Sequence, residues 1–386
     1  MPQKDFFMAK TMSLVQFKIP SQKQNAIQWC DFAVNPVMGC DGCEHWDKKR
    51  RTCYAGQLHE NKKAHTNTPG VNNGHAKDFL VPEKFAGRVA TMAKRASMYG
   101  SKRDAKDRLK PWMDGMPTTI FISNMGDALS KSIDFQYLHD EIIATVNSPD
   151  GKRHIWQWLT KRPKRMAEFS DWLKAKGISW PENLWAGTSV TAQRFKFRVN
   201  DLRKVGDENT IRFLSVEPQW DEISLAKNLH GIHWVIQGGE SGSDPHNFEL
   251  NWARKLRDEC RAAGVPYFLK QMGEKASDGG VMVNFKDRHG GEWDEWPTDL
   301  KVREMPKPNP AQIAYLNSLK PVTHIPTTPS SVLVAKAPAV TAGSPVVMAR
   351  PAGMKPQEWA WHKDNPNGVR RAKDKAAEVL EGGSYP

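Results

Sequence analysis

The chain has 386 residues, enough for one large core with appendages or two ordinary domains, and its hydrophobic fraction of 39% sits below the usual globular share. A formal charge of +13 at pH 7 favours polyanionic partners, while five cysteines, three of them clustered, argue against an extracellular disulfide framework. The opening MPQKDFFMAKTMSLVQFKIP interrupts its apolar residues with Lys and Gln, so neither a secretory signal nor a membrane span is expected, and the protein is expected in the cytoplasm.

Residues 1–24 read as a polar arm. An apolar stretch after Gln28 reads as a first strand ending near Cys40, and it leads into three thiols within fourteen residues, Cys40, Cys43 and Cys53. Such a set is an incomplete shell for a cubane iron–sulfur cluster and would leave one iron open to a further ligand. His45 completes a possible Cys3His set, so tetrahedral zinc stands as the alternative. Cys260 reads as a core thiol, and Cys30, before or within the first strand, as a buried thiol or else a fourth ligand. Between Lys84 and Lys110 nine Lys or Arg face two Asp, which is either the footprint of a polyanion or a solvated helix face.

From there, short apolar runs end in polar or glycine residues and alternate with helix-like stretches: TIFISNMGD (119–127), HIWQWLTKRP (154–163), LWAGTSV (184–190), IRFLSVEP (211–218), HWVIQGGESG (233–242) and PYFLKQMG (266–273). Runs that are apolar throughout suit strands buried on both faces. Helical spacing marks 135–147, with Phe135, Leu138 and Ile142 on one face, and 251–264, which Gly264 and Pro266 should end. The expected fold is therefore α/β, a parallel β/α TIM-like barrel of about seven strands, complete or incomplete, over residues 25–290. A doubly wound open sheet competes with it. Residues 291–357, rich in Pro and Ala, read as an extended linker, and 358–386 as a small docking element with a helix over 369–380.

In such a fold ligands bind at the C-terminal ends of the strands, and the unusual polar residues gather there. Asn124 and Asp127, Thr160, Lys161 and Arg162, Ser189, Ser215 and Glu217, Gly238, Gly239, Glu240 and Ser241, and Lys270 and Gln271 all follow strand runs. Lys161, Glu217 and Lys270 are the candidate catalytic residues, although Lys270 could instead pair with Glu217 or Glu240. The adjacent glycines would let a ligand approach the backbone, or simply make a turn. Trp46, Trp112, Trp156 and Trp158 lie near basic residues, where they either stack on bases or pack the core.

Taken together, IQWCDFAVNPVMGC…CYA, FISNMGD, WLTKRPKRM, NLWAGTSV, RFLSVEP, WVIQGGESG and LRDECRAAGVPYFLKQMG resemble a phage-associated protein family of unknown function. Its members carry a three-cysteine motif and a barrel similar to radical S-adenosylmethionine enzymes. The resemblance spans Ala26 to Gly273. It implies a [4Fe–4S] cluster on Cys40, Cys43 and Cys53 with S-adenosylmethionine on the open iron. It also implies that Asn124 and Asp127 lie near the methionine end, Ser189 and Glu217 near the ribose, and Gly238 to Glu240 near the adenine or substrate. The substrate would be a nucleic acid or nucleotide, an electron donor would be needed, and the C-terminal tail could engage a protein partner. Gaps of two and nine residues between the cysteines depart from the tighter spacing of radical enzymes and keep zinc open.

Overall fold

The apolar runs pair side by side in the order in which the chain makes them. In the computed structural model, which describes residues 27–319 apart from 48, 50, 61–78, 99–109, 114 and 243, they form a seven-stranded sheet. Its strands are β1 (Phe32–Val34), β2 (Thr119–Ile122), β3 (Ile155–Thr160), β4 (Leu184–Ser189), β5 (Arg212–Val216), β6 (Trp234–Gly238) and β7 (Tyr267–Gln271). Every neighbouring pair is parallel, with Phe32 opposite Ile120 and Trp158 opposite Ala186. Sequential order excludes the doubly wound topology, in which the strand order reverses.

The sheet curls. The Trp29 ring, just before β1, lies 6.1 Å from that of Trp234 on β6, whereas five strand spacings in a flat sheet would separate them by roughly 24 Å. Curling gathers Trp29, Phe121, Trp185, Phe213, Trp234 and Phe268 into one cluster inside the bend, the floor of a half-barrel. Their rings meet mostly edge-on or tilted, as between Trp234 and Phe268 at 5.8 Å and 90°. Gly187 on β4 makes room, because a Cβ there would sit 2.2 Å from the Phe213 ring. The alternate residues, among them Trp156, Trp158, Leu214 and Leu269, belong to a second core on the convex face. Burial on both faces is why these strands carry no polar alternation.

Helices Arg88–Met98, Pro163–Ala175 and Leu250–Ala262 contribute Val89, Met166 and Leu256 to that outer core. The stretch expected helical at 135–147 is one, with a π turn at His139–Ile143 between α segments. Its buried Glu141 accepts the amides of Gly87 (2.7 Å) and Val89 (2.8 Å), capping the N-terminus of helix Arg88–Met98. Helix Leu250–Ala262 stops as its sequence signals, with Gly264 at φ 66°.

No eighth strand joins β1 to β7 among the described residues. The outer edge of β7 instead takes Val302–Glu304, through Leu269 N–H to the Val302 carbonyl and Glu304 N–H to the Tyr267 carbonyl, both 2.9 Å. At the seam, Trp112 donates its indole N–H to the Gln28 carbonyl and packs its ring on Phe268, so it touches both ends of the sheet. Arg303 lies over the rings of Trp112, Trp293 and Trp296, and burial lowers its guanidinium to a pKa of about 10. Residues 291–319 thus differ from the expected linker: Trp296, Leu300 and Leu316 are buried, and Pro310–Ser318 is a helix. Edge pairing needs only backbone groups, so the polar, Pro-rich composition did not announce it. The arm at 1–24, the rest of the linker and the helix at 369–380 lie outside the described residues. No helix of the described residues is long and apolar enough to cross a membrane.

Candidate functional site

The cysteine loop is built by close backbone contact. After β1, Val37–Met38 pairs antiparallel with Glu83–Lys84, and the chain then bridges Gly39 to Gly126 at the end of β2. A Cβ on Gly126 would lie 2.7 Å from the carbonyl oxygens of Gly39 and Val37, which accounts for the glycine in NMGD. Cys43 and Trp46 exchange backbone hydrogen bonds, and the His45 carbonyl accepts the amides of Thr52 and Cys53. Trp46, fully buried, packs on Phe79 and against Gly56, where a Cβ would meet its ring at 2.6 Å.

Ionic ties from successive strands hold this loop over the C-terminal mouth. Asp127, after β2, accepts hydrogen bonds from the Thr160 hydroxyl and, at 2.8 Å, from Arg162 Nη1, both at the end of β3. Arg162 Nη2 donates to the Gly42 carbonyl at 2.8 Å, so a single guanidinium joins Asp127 to the cysteine loop. From the start of the short helix Arg198–Leu202 that follows β4, Arg198 binds Glu44 in bidentate fashion (2.8 and 2.9 Å) and donates to the Ser189 carbonyl. Burial alone would raise the Glu44 carboxyl, but the Arg198 hydrogen bonds and the charges of Lys161 and Arg198 hold it at a pKa of about 2.

The thiols sit within this frame. Burial pushes Cys40 up to about 12 against the opposing Gly42 amide, which donates to its sulfur at 3.4 Å. Burial likewise raises Cys53, opposed by the amides of Gly56 and Ala55 and by the charge of Lys161. Desolvation would lower Lys161, yet the negative charge available at Cys43, Glu44 and Cys53 raises it above the ordinary lysine value. Lys161 therefore faces the cysteine loop.

Inside the mouth, above the aromatic floor, Lys270 of β7 forms an ion pair with Glu217, which follows β5 and precedes a cis peptide to Pro218. Of the two partners open to Lys270 in the sequence, Glu217 is the one it takes. Glu240 is buried, with its Oε1 4.0 Å from His45 Nδ1 and its Oε2 bound to both the amide and Nδ1 of His246. Both histidines pack on Trp220, His45 edge-on at 4.4 Å and His246 nearly parallel at 4.9 Å.

The structure thus gathers Cys40, Cys43, Cys53, Asp127 and Lys161 about one loop, which Glu240 meets through His45, and pairs Glu217 with Lys270. Asp127 is saturated by loop-holding bonds. Asn124 shares its side chain with Asn35 (2.6 Å) and accepts the Tyr54 hydroxyl on its carbonyl. Ser189 is buried at the end of β4. Gly238 and Gly239 serve close packing: the Gly239 amide is bound to the Gln271 carbonyl, and a Cβ there would meet the Met272 carbonyl at 2.1 Å. Trp46, Trp156 and Trp158 are fully buried core residues. Of the basic stretch, Lys110 is buried and bonds the Ile27 and Cys30 carbonyls, Lys84 pairs with Asp134, and Lys102, Arg103, Lys106 and Arg108 lie outside the described residues. Glu44, Arg198, Trp220 and His246 escaped sequence reading, since nothing local marks a side chain whose partner is distant in the chain.

Among the described residues no group of three His, Cys, Asp or Glu side chains stands at metal-binding geometry. The donor set nonetheless fits a thiolate-bound metal in kind: three thiols from one loop, amide N–H groups directed at two of the sulfurs and a lysine beside them. Loading would displace the thiol protons and turn the side chains together. His45 turns its Nδ1 towards Glu240 at 4.0 Å, the kind of carboxylate contact that a metal-binding histidine makes through its non-ligating nitrogen.

The model of a family described as Protein of unknown function (DUF5131) matches residues 24–382. No curated protein and no solved structure matches the chain.

Proposed function

The chain belongs to the DUF5131 family of unknown function, and we propose that it is an iron–sulfur, S-adenosylmethionine-dependent radical enzyme modifying a nucleic acid or nucleotide, a phage DNA base or tRNA among the candidates. The observation that carries this reading is the position of Cys40, Cys43 and Cys53 on the loop after β1, over the C-terminal mouth of a parallel half-barrel. That is the end at which β/α folds bind ligands.

Cys40, Cys43 and Cys53 would hold a [4Fe–4S] cluster, which with S-adenosylmethionine supplies homolytic chemistry at unactivated carbon. The chain's own residues do the rest. The Gly42, Ala55 and Gly56 amides and Lys161 offset the negative charge that thiolates bring. Arg162 and Arg198 fix the loop from two sides. The aromatic floor closes the half-barrel to water from below, and the Glu217–Lys270 pair adds a polar wall of zero net charge. The reductant comes from a separate electron donor.

A zinc-stabilised, non-catalytic nucleic-acid-binding barrel is the competing reading. It needs a fourth ligand beside the three thiols, and His45, whose Nδ1 faces Glu240, is the candidate for that place. Anaerobic reconstitution decides between them. The reading expects four iron and four sulfide per chain, thiolate-to-iron charge-transfer absorbance that Cys43→Ala removes, and release of 5′-deoxyadenosine on reduction. Colourless protein with stoichiometric zinc would overturn it.

A further inference from the structure

The four tryptophans flanked by basic residues do not offer stacking rings at the mouth, but another stretch does. After β4 the chain runs Arg194-Phe195-Lys196-Phe197-Arg198, alternating cations with aromatic rings. Phe197 is 59% exposed, and Arg194 and Lys196 have no carboxylate partner among the described residues. Alongside, His246 presents the outer ring of its stack on Trp220, with Arg194 5.8 Å from the Trp220 ring centre. Asp221 accepts the Gln193 amide at 2.7 Å.

We propose that this rim, formed by Arg194, Lys196, Phe197 and His246, binds single-stranded nucleic acid across the mouth. Two unneutralised cations meet phosphates, and exposed rings stack on bases; a duplex hides its base faces and offers only phosphates. The rim is preorganised. Arg198, the last residue of the alternation, is buried and spent on Glu44 and the Ser189 carbonyl, so little ordering remains to oppose binding. The same strut joins the rim to the cysteine loop one residue from Cys43. The inference deepens the nucleic-acid half of the proposed function and rests on that reading only for the chemistry beneath the strand.

Fluorescence anisotropy of the full chain with a labelled twenty-nucleotide single strand tests it. Phe197→Ala and Phe197→Leu should each weaken binding about tenfold, since both remove the ring from an exposed site. Arg194→Ala with Lys196→Ala should weaken it further and make the slope of log affinity against log salt shallower by about 1.4. A duplex of equal length should bind more weakly, and polyglutamate should not displace the strand at equal charge. Variants that bind like the wild type, equal binding of duplex, or displacement by polyglutamate would each overturn the proposal. Cluster assembly is read separately by absorbance. Unaltered binding by the variants of an active iron–sulfur protein defeats the rim alone, whereas loss of binding by the variants of a cluster-free protein upholds the rim and defeats the radical reading.

Discussion

The floor and the mouth of the half-barrel are made by the same strands and held by different forces. At the floor Phe213, Trp234 and Phe268 fill the bend with rings and almost no charge. A few residues further along β5 and β7, Glu217 and Lys270 pair, and the cysteine loop hangs on Asp127, Arg162, Glu44 and Arg198. The floor gains from area removed from water and is indifferent to which ring meets which, within its volume. The mouth depends on particular partners, and a buried charge deprived of its partner costs more than the pair contributes. A scaffold that must be stable and a site that must be specific are thus separated along each strand.

The largest expected effect is at the floor. Phe213→Ala leaves a cavity above Gly187 and beside Trp29 and Trp234, and should cost about 3–5 kcal/mol in chemical denaturation while leaving the thiol environment of refolded protein unchanged. At the mouth, Glu44→Gln strands the Arg198 charge and should cost about 3 kcal/mol, with faster labelling of Cys43 by a thiol reagent; combining it with Arg198→Met should recover most of the stability. Equal losses for the single and double variants would erase the distinction between the two regions.

A smaller effect shows that the lower end is not wholly insensitive to charge. His154, just before β3, is fully buried, and burial lowers its pKa to about 4. As the pH falls below the ordinary imidazole value the unfolded chain takes up a proton that the folded chain refuses, so stability falls. The loss should reach about 2 kcal/mol between pH 7 and pH 5 and should vanish in His154→Gln.

What the sequence disclosed follows the same division. β2 to β7 lie within the runs read as strands, because a strand buried on both faces must be apolar throughout, and Gly264 ends its helix as expected. The gathering of polar residues at strand ends was legible for a topological reason. Partner choice was not. Asp127 stood out as a ligand candidate and is consumed by Thr160 and Arg162, and the glycines of GGESG read as a ligand approach or a tight turn, whereas Gly239 is packed against the Met272 carbonyl. The pairing of residues 302–304 with β7 was unreadable because it is made by main-chain groups that every residue type possesses.

The sequential strand order also sets a schedule for assembly at the ribosome. The cysteine loop emerges ahead of β2 to β7, and four of the later units return to it: Gly126 and Asp127 after β2, Arg162 after β3, Arg198 after β4, Glu240 after β6. Every strand finds its neighbour already made, which keeps the pairing local. The thiols therefore begin synthesis accessible and become enclosed one strand at a time, so a metal can be delivered before the mouth is complete.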